Sequence, residues 1–493
     1  MEAPAQRSRW PQDAAFTAIA AVAALAPRLY VALAWAREPV WDGHYYDFGA
    51  RRIAAGLGYS DDVMIGGVAR WHPWCHYPVG YSGFLAGVYK LFGDGPHAAT
   101  VANAVLGALM VALVHRVSLR VMSPWRARAA AALCAVHPGL IVYSGLVMTE
   151  LLSGVLPLAA LWLALRYGHR RPVRGAILSG AVVGLAALVS PPNILIAPAL
   201  GLALSHLVAS RKAVRDVIAR GALVTAVAFA ITVPWTLRNC RVMDGCAFVS
   251  TNGGWNLAIG AFERATGRFE TLRASDGCKV VTGQVQQDRC WARLGLQAIR
   301  RDPKRWIGLA PVKLDHSFNH ESFAIEYLRT ADPLAWPEDR RVRWRQGLTT
   351  FHRVLLSIAA FGFLGSIGRK QVRERRWKAV GTEAALWLVT AALVWLAWSG
   401  DTHTFWPLAL WIPVLGMLPR SGSPTPDAVG WFVAWSLLTF DVVHVVFFGE
   451  DRYHMPLAPL LCILAAAVWR RARTEPSAVL PSPACTASDP PQP

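Results

Sequence analysis

Apolar runs close to the length of a bilayer crossing recur along this chain, and their recurrence decides its fold class. A crossing helix needs about 20 consecutive, mostly apolar residues. Such runs lie at approximately 14–36, 97–115, 129–147, 150–165, 175–190, 194–209, 221–237, 351–367, 382–399, 404–419, 429–448 and 455–469. They predict an all-α polytopic membrane protein with about twelve transmembrane helices. Composition agrees: hydrophobic residues make up 54% and charged residues only 16%, whereas soluble domains carry roughly 25% charged residues. The net charge of +19 would point to nucleic acid in a soluble chain. Here short connectors on one side are rich in Arg, and the long loop at 238–350 is basic too, but long translocated loops escape the charge rule. No RNA- or DNA-binding motif is present, so no nucleic-acid partner is expected. The first apolar run is long and lacks a small-residue cleavage site, so it reads as a span rather than a signal peptide.

The connectors predict the orientation. With the N-terminus in the cytoplasm, alternate connectors hold Arg116, Arg120, Arg126 and Arg128, then Arg166, Arg170, Arg171 and Arg174, then Arg211, Lys212, Arg215 and Arg220. The next holds Arg369, Lys370, Arg373, Arg375, Arg376 and Lys378, Arg420 marks the weakest inner loop, and the tail opens with Arg470 and Arg471. Short loops rich in Lys and Arg stay inside. The opposite side then receives the first outer loop (37–96), the turn at Met148-Thr149-Glu150, Ser190–Asn193, a large loop (238–350) after the seventh span, Ser399–His403 and Gly449–His454. Segment 80–93 is apolar but too short to cross, and reads as interfacial. Residues 474–493 are rich in Pro and Ser and predict a disordered cytoplasmic tail.

The outer side carries the chemistry. The first outer loop packs Asp42, His44, Tyr45, Tyr46, Asp47, Asp61, Asp62, His72 and His76 between two apolar segments. After Asp42 and the aromatic pair Tyr45-Tyr46, the stretch from Asp47 to Tyr59 reads as a short amphipathic helix along the interface, stopped by Gly56 and Gly58. Asp42 there is either a helix-start carboxylate or a base or metal ligand beside a lipid-borne substrate. His72 and His76 have a spacing that on a helix suits zinc, but Pro73 and Pro78 favour an extended segment that touches headgroup or substrate. Glu150 at a span boundary is either a functional carboxylate or an acid favoured in a helix's first turn. Asn193 reads as a helix-start device. Arg238, just outside the seventh span, suits an oxyanion or simply snorkels. Asn252-Gly253-Gly254 reads as a tight turn, and Asn256 as a donor to a polar ligand. Lys313, Asp315, His316, His320 and Glu321 form either an acceptor or metal site or a solvated loop. Cys75, Cys240, Cys246, Cys278 and Cys290 fall on the outer side. An oxidising compartment would allow pairing within 240–246 and within 278–290, and the sequence leaves the connectivity open, while Cys134 and Cys462 fall inside spans.

These residues resemble a known family. Asp42 followed by Tyr45-Tyr46, the run Ala50-Arg51-Arg52-Ile53-Ala54-Ala55-Gly56-Leu57-Gly58-Tyr59, and the turn Tyr77-Pro78-Val79-Gly80-Tyr81 look like the polyprenol-phosphate-sugar glycosyltransferases of the GT-C type. That branch includes bacterial aminoarabinose transferases and protein O-mannosyltransferases. Met148-Thr149-Glu150, Pro234–Asn239 with Thr251–Gly254, and Arg452-Tyr453 with Pro456 agree in order. The resemblance implies one transmembrane transferase domain over 1–473, in a bacterial inner membrane with the site facing outward. It implies a polyprenyl-phosphate-linked sugar donor, a lipid, glycan or protein acceptor, and contact with membrane lipid. Asp42 matches the carboxylate that activates the acceptor. Many members carry Asp-Glu at that site where this chain has Asp42-Gly43, which leaves Glu150 or Asp47 as the second carboxylate. Tyr46, His72, His76, Tyr81, Arg238, Asn252, Asn256, Arg452 and Tyr453 are the candidate substrate-binding residues. Family members share no single metal requirement, so no cofactor is expected, with a divalent metal left open. The rival reading is a twelve-span transporter or a flippase for a lipid-linked substrate. A transporter would place its polar groups near the midplane in repeated halves, and no such repeat is evident. A membrane acyltransferase would want a catalytic His in or beside a span.

The orientation is directly testable. A cysteine replacing Ser275 is expected to react with an impermeant thiol reagent on intact cells, and one replacing Lys378 only after permeabilisation. The reverse pattern would move every candidate site residue to the cytoplasm.

Overall fold

Prolines open many of the helices. The computed structural model describes residues 10–168, 170–205, 211–278, 283–365, 377–400, 403–418 and 427–468. Within these, helices begin at Pro96, Pro124, Pro138 and Pro172, where the missing N–H would be unpaired in any case. The 474–493 tail, Arg369, Lys370, Arg373, Arg375, Arg376, Arg420, Arg470, Arg471, Asp401 and Thr402 lie outside the described residues.

Seven described helices are long and apolar enough to cross a membrane: Gln12–Ala34, His97–Ser118, Glu150–Tyr167, Pro172–Val189, Ala213–Val242, Trp377–Ser399 and Ala428–Val446. An eighth is reached if Pro124–Val136 and Pro138–Gly145, bent by 52° at their junction, count as one span. The runs expected near 194–209 and 404–419 form only the shorter apolar helices Pro191–Ala203 and Trp406–Met417. The 351–367 run begins inside a longer helix, Glu338–Ala360, whose first turns carry acids and arginines. The last run starts as a 3₁₀ turn, Asp451–Leu457, and continues as Ala458–Ala467. The chain is thus a multi-pass, mostly helical membrane protein.

The first outer loop is more ordered than a connector requires. A helix, Asp42–Ala54, ends where Gly56 and Gly58 take φ of +81° and +72°, a region that costs glycine little. It is followed by an unexpected hairpin, β1 (Ser60–Ile65) and β2 (Val68–Pro73), antiparallel with Asp61 opposite His72. Its two-residue turn is Gly66-Gly67, with φ of +60° and +81°, as a tight hairpin with right-handed twist needs. Segment 80–93 becomes the helix Val79–Phe92, which packs on Asp42–Ala54 and on Pro172–Val189.

In the large loop, Gly253–Ala261 and Gln284–Arg301 pack together around Ile259, Cys278 and Trp291. Asn252-Gly253-Gly254 is therefore no tight turn: the two glycines begin a helix. A side chain at Gly254 would run into the Asp288 carbonyl and lie 2.9 Å from the Ala292 methyl, so close helix contact selects glycine there. The disulfides Cys240–Cys246 and Cys278–Cys290 are both formed. Asn193 does not start a helix; its amide donates to the Ala186 carbonyl at 3.2 Å and closes the preceding one.

Gly80, in the Tyr-Pro-Val-Gly-Tyr turn, is selected by the same kind of contact. A Cβ there would lie 2.6 Å from the Leu188 oxygen and the Val189 nitrogen, whereas one at Gly83, three residues along, would meet nothing. Alanine is the better helix former by about 1 kcal/mol, so the two positions respond with opposite signs. Gly80→Ala is expected to lower stability by about 1–3 kcal/mol through overpacking, and Gly83→Ala to preserve or raise it. Thermal unfolding in detergent measures both.

Candidate active site

Asp42 is aimed by a strained neighbour. Trp41 has φ of 52°, an uncommon conformation for a side-chain-bearing residue that costs of order 1–3 kcal/mol. Its ring is held against Phe323 and Tyr327, at 5.4 and 6.0 Å between centroids. Asp42 is then the first residue of its helix, where the helix dipole favours a carboxylate.

Two donors hold that carboxylate. Tyr77 Oη donates to Oδ1 at 2.7 Å, and Arg452 Nη1 donates to Oδ2. Burial pushes the Asp42 carboxyl up, but the Arg452 charge and the two hydrogen bonds outweigh it and hold it below the usual range. Asp42 is therefore an anion at neutral pH. The same anion and burial push the Tyr77 phenol far above its ordinary value, burial being the larger cause.

Arg452 is the hub. Its Nη2 donates to Tyr453 Oη at 3.0 Å, its Nε lies 2.7 Å from Glu450 Oε2, and its guanidinium stacks over Phe323 at 4.6 Å. Burial opposes its charge, but Tyr453, Asp42, Glu450 and Glu150 together keep it firmly cationic. Three carboxylates thus act on one guanidinium. Burial pushes the Glu450 carboxyl up to about 7, with Arg452 only partly opposing. Glu150 opens the helix Glu150–Tyr167; it is buried, and its Oε2 has no hydrogen-bond partner among the described residues. An orphaned buried carboxylate oxygen is costly.

The remaining candidate residues divide. Tyr46 is buried and edge-on to Tyr77 and Tyr81, each at 5.4 Å. His76 sits edge-on to Trp255 at 5.4 Å, and burial outweighs the pull of Asp42 to keep its imidazole neutral. Tyr453 stacks on His444 at 4.8 Å. These surround the Asp42–Arg452 pair. Asp47 does not join it: its oxygens take Arg51 at 2.7 Å and Tyr89 at 2.5 Å. Tyr81 is occupied with Asn103. Asn252 accepts from Ser250 at 2.8 Å, and Asn256 lies within the helix Gly253–Ala261.

The hairpin sets the surroundings of two candidate residues. His72 lies in the strand Val68–Pro73 with Nδ1 2.7 Å from Asp61, so the segment is extended as Pro73 implied, and the helical zinc spacing with His76 does not arise. Arg238 Nη1 donates to the Trp74 carbonyl at 2.9 Å and Nη2 to that of Tyr59 at 2.6 Å, with the guanidinium over Trp235. It fastens the hairpin base to the helix Arg211–Val242 instead of presenting a free fork. The 313–321 group is divided too, since buried Lys313 donates to the Val445 carbonyl at 3.0 Å. Tyr77 and Glu450 were not singled out by the sequence, although each sits in a stretch that was: the Tyr-Pro-Val-Gly-Tyr turn and the polar cap at Gly449–His454.

Residue 43 explains the missing second carboxylate of the first loop. A Cβ at Gly43 would strike the Tyr327 hydroxyl and lie 2.8 Å from the Val147 carbonyl. No side chain fits there, and the acids that accompany Asp42 come from Glu150 and Glu450.

A family model described as dolichyl-phosphate-mannose-protein mannosyltransferase matches residues 76–237. The match includes Glu150 and leaves out Asp42 and Arg452. No curated protein matches the chain. Among solved structures, the Archaeoglobus fulgidus oligosaccharyltransferase AglB, in complex with an inhibitory peptide and a dolichol-phosphate, is 13% identical with a TM-score of 0.46, over 94% of this chain and 50% of that one. This chain therefore spans about half the length of that enzyme. ArnT from Cupriavidus metallidurans, bound to undecaprenyl phosphate, is 17% identical with a TM-score of 0.34, over 89% of each chain.

The raised Glu450 carboxyl has a consequence for stability. Its folded value, about 7, lies above its ordinary 4.5, so between those values the folded chain holds a proton that the unfolded chain has released. Stability from this group is therefore lost as pH rises from about 5 to about 7. Glu450→Gln is expected to flatten that part of the profile, read as thermal midpoint against pH. An unchanged slope would place the Glu450 carboxyl in the ordinary range.

Proposed function

We propose that this chain is an integral-membrane glycosyltransferase that moves a sugar from a polyprenyl-phosphate donor to a lipid, glycan or protein acceptor on the outer face of the membrane. The observation that carries the reading is the half-buried Asp42–Arg452 pair, which couples an ionised base to a cation suited to phosphate. The mannosyltransferase family match over 76–237 supports the reaction class, as does the motif order read from the sequence. The basic connectors support about twelve spans with both termini inside, a transferase domain over 1–473, and a bacterial inner membrane.

Asp42 accepts or orients the proton of the acceptor hydroxyl, while Arg452 faces the phosphate that leaves with the lipid. In the structure the two are bonded to each other. A donor phosphate reaching Arg452 competes for its fork, and each guanidinium contact that Asp42 gives up raises its basicity. Donor arrival thereby primes the base. Tyr77 keeps the carboxylate aimed during the exchange, and Glu150 and Glu450 keep the guanidinium in place. Tyr46, His76 and Tyr453 provide the apolar and hydrogen-bonding walls for the sugar. His72, Tyr81, Arg238, Asn252 and Asn256 support this wall from behind rather than touch the reacting atoms.

Sugar transfer from a purified polyprenyl-phosphate donor tests the assignment. Asp42→Asn keeps size and polarity but removes basicity, and is expected to lower turnover by roughly 10²-fold or more with donor affinity largely preserved. Arg452→Lys keeps charge but loses the planar fork, and is expected to weaken donor binding. A well-folded Asp42→Asn that transfers sugar at the parental rate would overturn the mechanism.

A further inference from the structure

One cluster is left over by this chemistry. Glu321, His352 and His454 are buried to within 4% exposure, and one ligand atom from each lies within 4.8 Å of the others. They come from three separate segments: the large loop, the helix Glu338–Ala360 and the 3₁₀ turn Asp451–Leu457.

The hydrogen bonds at the back of each imidazole settle which nitrogen faces inward. His454 Nδ1 lies 2.6 Å from the Ser317 carbonyl, which only accepts, so Nδ1 carries the hydrogen. His352 Nε2 lies 3.0 Å from the Phe318 carbonyl and carries the hydrogen for the same reason. The opposite nitrogens, His454 Nε2 and His352 Nδ1, then face Glu321 Oε1 at 2.7 and 3.8 Å. A backbone carbonyl behind each imidazole is the arrangement that fixes the tautomer and orientation of metal-binding histidines. Metal bonds of about 2.0–2.2 Å in tetrahedral geometry set neighbouring donors roughly 3.4 Å apart, a spacing that the two observed distances bracket.

A third histidine is excluded by the same reasoning. His137 Nδ1 accepts from the Leu140 N–H at 3.2 Å, which leaves its Nε2 as a donor when the ring is neutral. An entry path exists: Glu321 lines a cavity of about 510 Å³ with Ser322, Thr349, Arg345 and Arg353. The two arginines there are engaged, Arg345 with Glu326 at 3.0 Å and Arg353 with the Asn319 carbonyl at 2.9 Å.

We propose that Glu321, His352 and His454 bind a divalent transition-metal ion, zinc by the donor set, which ties the 450–457 turn to the large outer loop. Two neutral imidazoles and a carboxylate match zinc's preference for nitrogen and oxygen donors and leave a position for water. The ion sits two residues along the chain from Arg452, beside the Asp451 carboxylate that accepts the Ser322 and Phe323 N–H groups. It therefore braces the turn that carries Arg452 and takes no part in proton transfer. The assignment is independent of the transferase reading, because metal content is measured without any sugar substrate.

The test uses the full chain purified in detergent through a tag without histidines. Inductively coupled plasma mass spectrometry is expected to find about one zinc per chain after stripping with chelator and reloading. Glu321→Gln and His352→Ala are each expected to weaken zinc binding by at least 10-fold and to abolish the rise in thermal midpoint that zinc gives the stripped parent. His316→Ala, in the same loop but outside the cluster, is expected to bind as the parent does. Gel filtration confirms folding, and Glu321→Gln, which preserves shape, carries the test if His352→Ala fails to fold. A folded, stripped parent that takes up no zinc would overturn the proposal, leaving a buried Glu321–His454 ion pair alone. Equal uptake by the parent and a folded Glu321→Gln would overturn it as well.

Discussion

The ion pair between Asp42 and Arg452 joins residues 410 positions apart, and the outer end of the molecule is arranged around it. Desolvating two charges costs several kcal/mol per ion, which their attraction repays only when the remaining hydrogen-bonding capacity is also met. Tyr77 adds a second donor to Asp42, Tyr453 takes one Arg452 amine, and Glu450 adds an ion-pair contact at Nε. Phe323 covers the guanidinium face, and the Asp451 carboxylate holds Phe323 in position by accepting its N–H. Removing either charge would leave the other half-buried with its remaining partners, Tyr77 for Asp42 and Glu450 with Tyr453 for Arg452. The pair therefore couples closure of the first loop onto the last polar cap to the electrostatics of the site.

Close backbone approach is the second constraint. Gly43, Gly80 and Gly254 lie against backbone or a buried phenol where no side chain fits, and each fixes the seat of an element that borders the site. Gly43 bears most on chemistry. The Tyr327 hydroxyl fills the space an adjacent carboxylate would need, and it also receives the Val40 N–H at 3.3 Å. Acids from distant segments, Glu150 and Glu450, act with Asp42 on the same guanidinium.

Arg238 shows how a residue can be correctly located and differently used. The sequence places it just beyond an apolar run, and the structure puts it in the last turns of the helix Arg211–Val242. What it touches depends on the hairpin, whose base offers the Trp74 and Tyr59 carbonyls. Buried carbonyls without donors are costly, so the nearest strong donor is drawn to them. The hairpin itself was legible in Gly66-Gly67 between Ile65 and Val68, a signal easily overlooked inside a loop read for its titratable groups.

The sequence by itself determined what depends on local pattern. Span-length apolar runs set the membrane class, Gly56 and Gly58 ended the helix that follows Asp42, and the cysteines offered both disulfides without fixing which pairs form. Asp42 and Arg452 were recognisable as polar residues at the ends of apolar runs. Tertiary structure alone decided which polar groups meet. Asp47, five residues from Asp42, turns to Arg51 and Tyr89, whereas Arg452 arrives from the other end of the chain. The reason is physical: helical periodicity and hydropathy act over a few turns, while the partner of a buried charge is chosen by packing between segments far apart in sequence. Glu321, His352 and His454 meet on the same terms, since no spacing along the chain relates them.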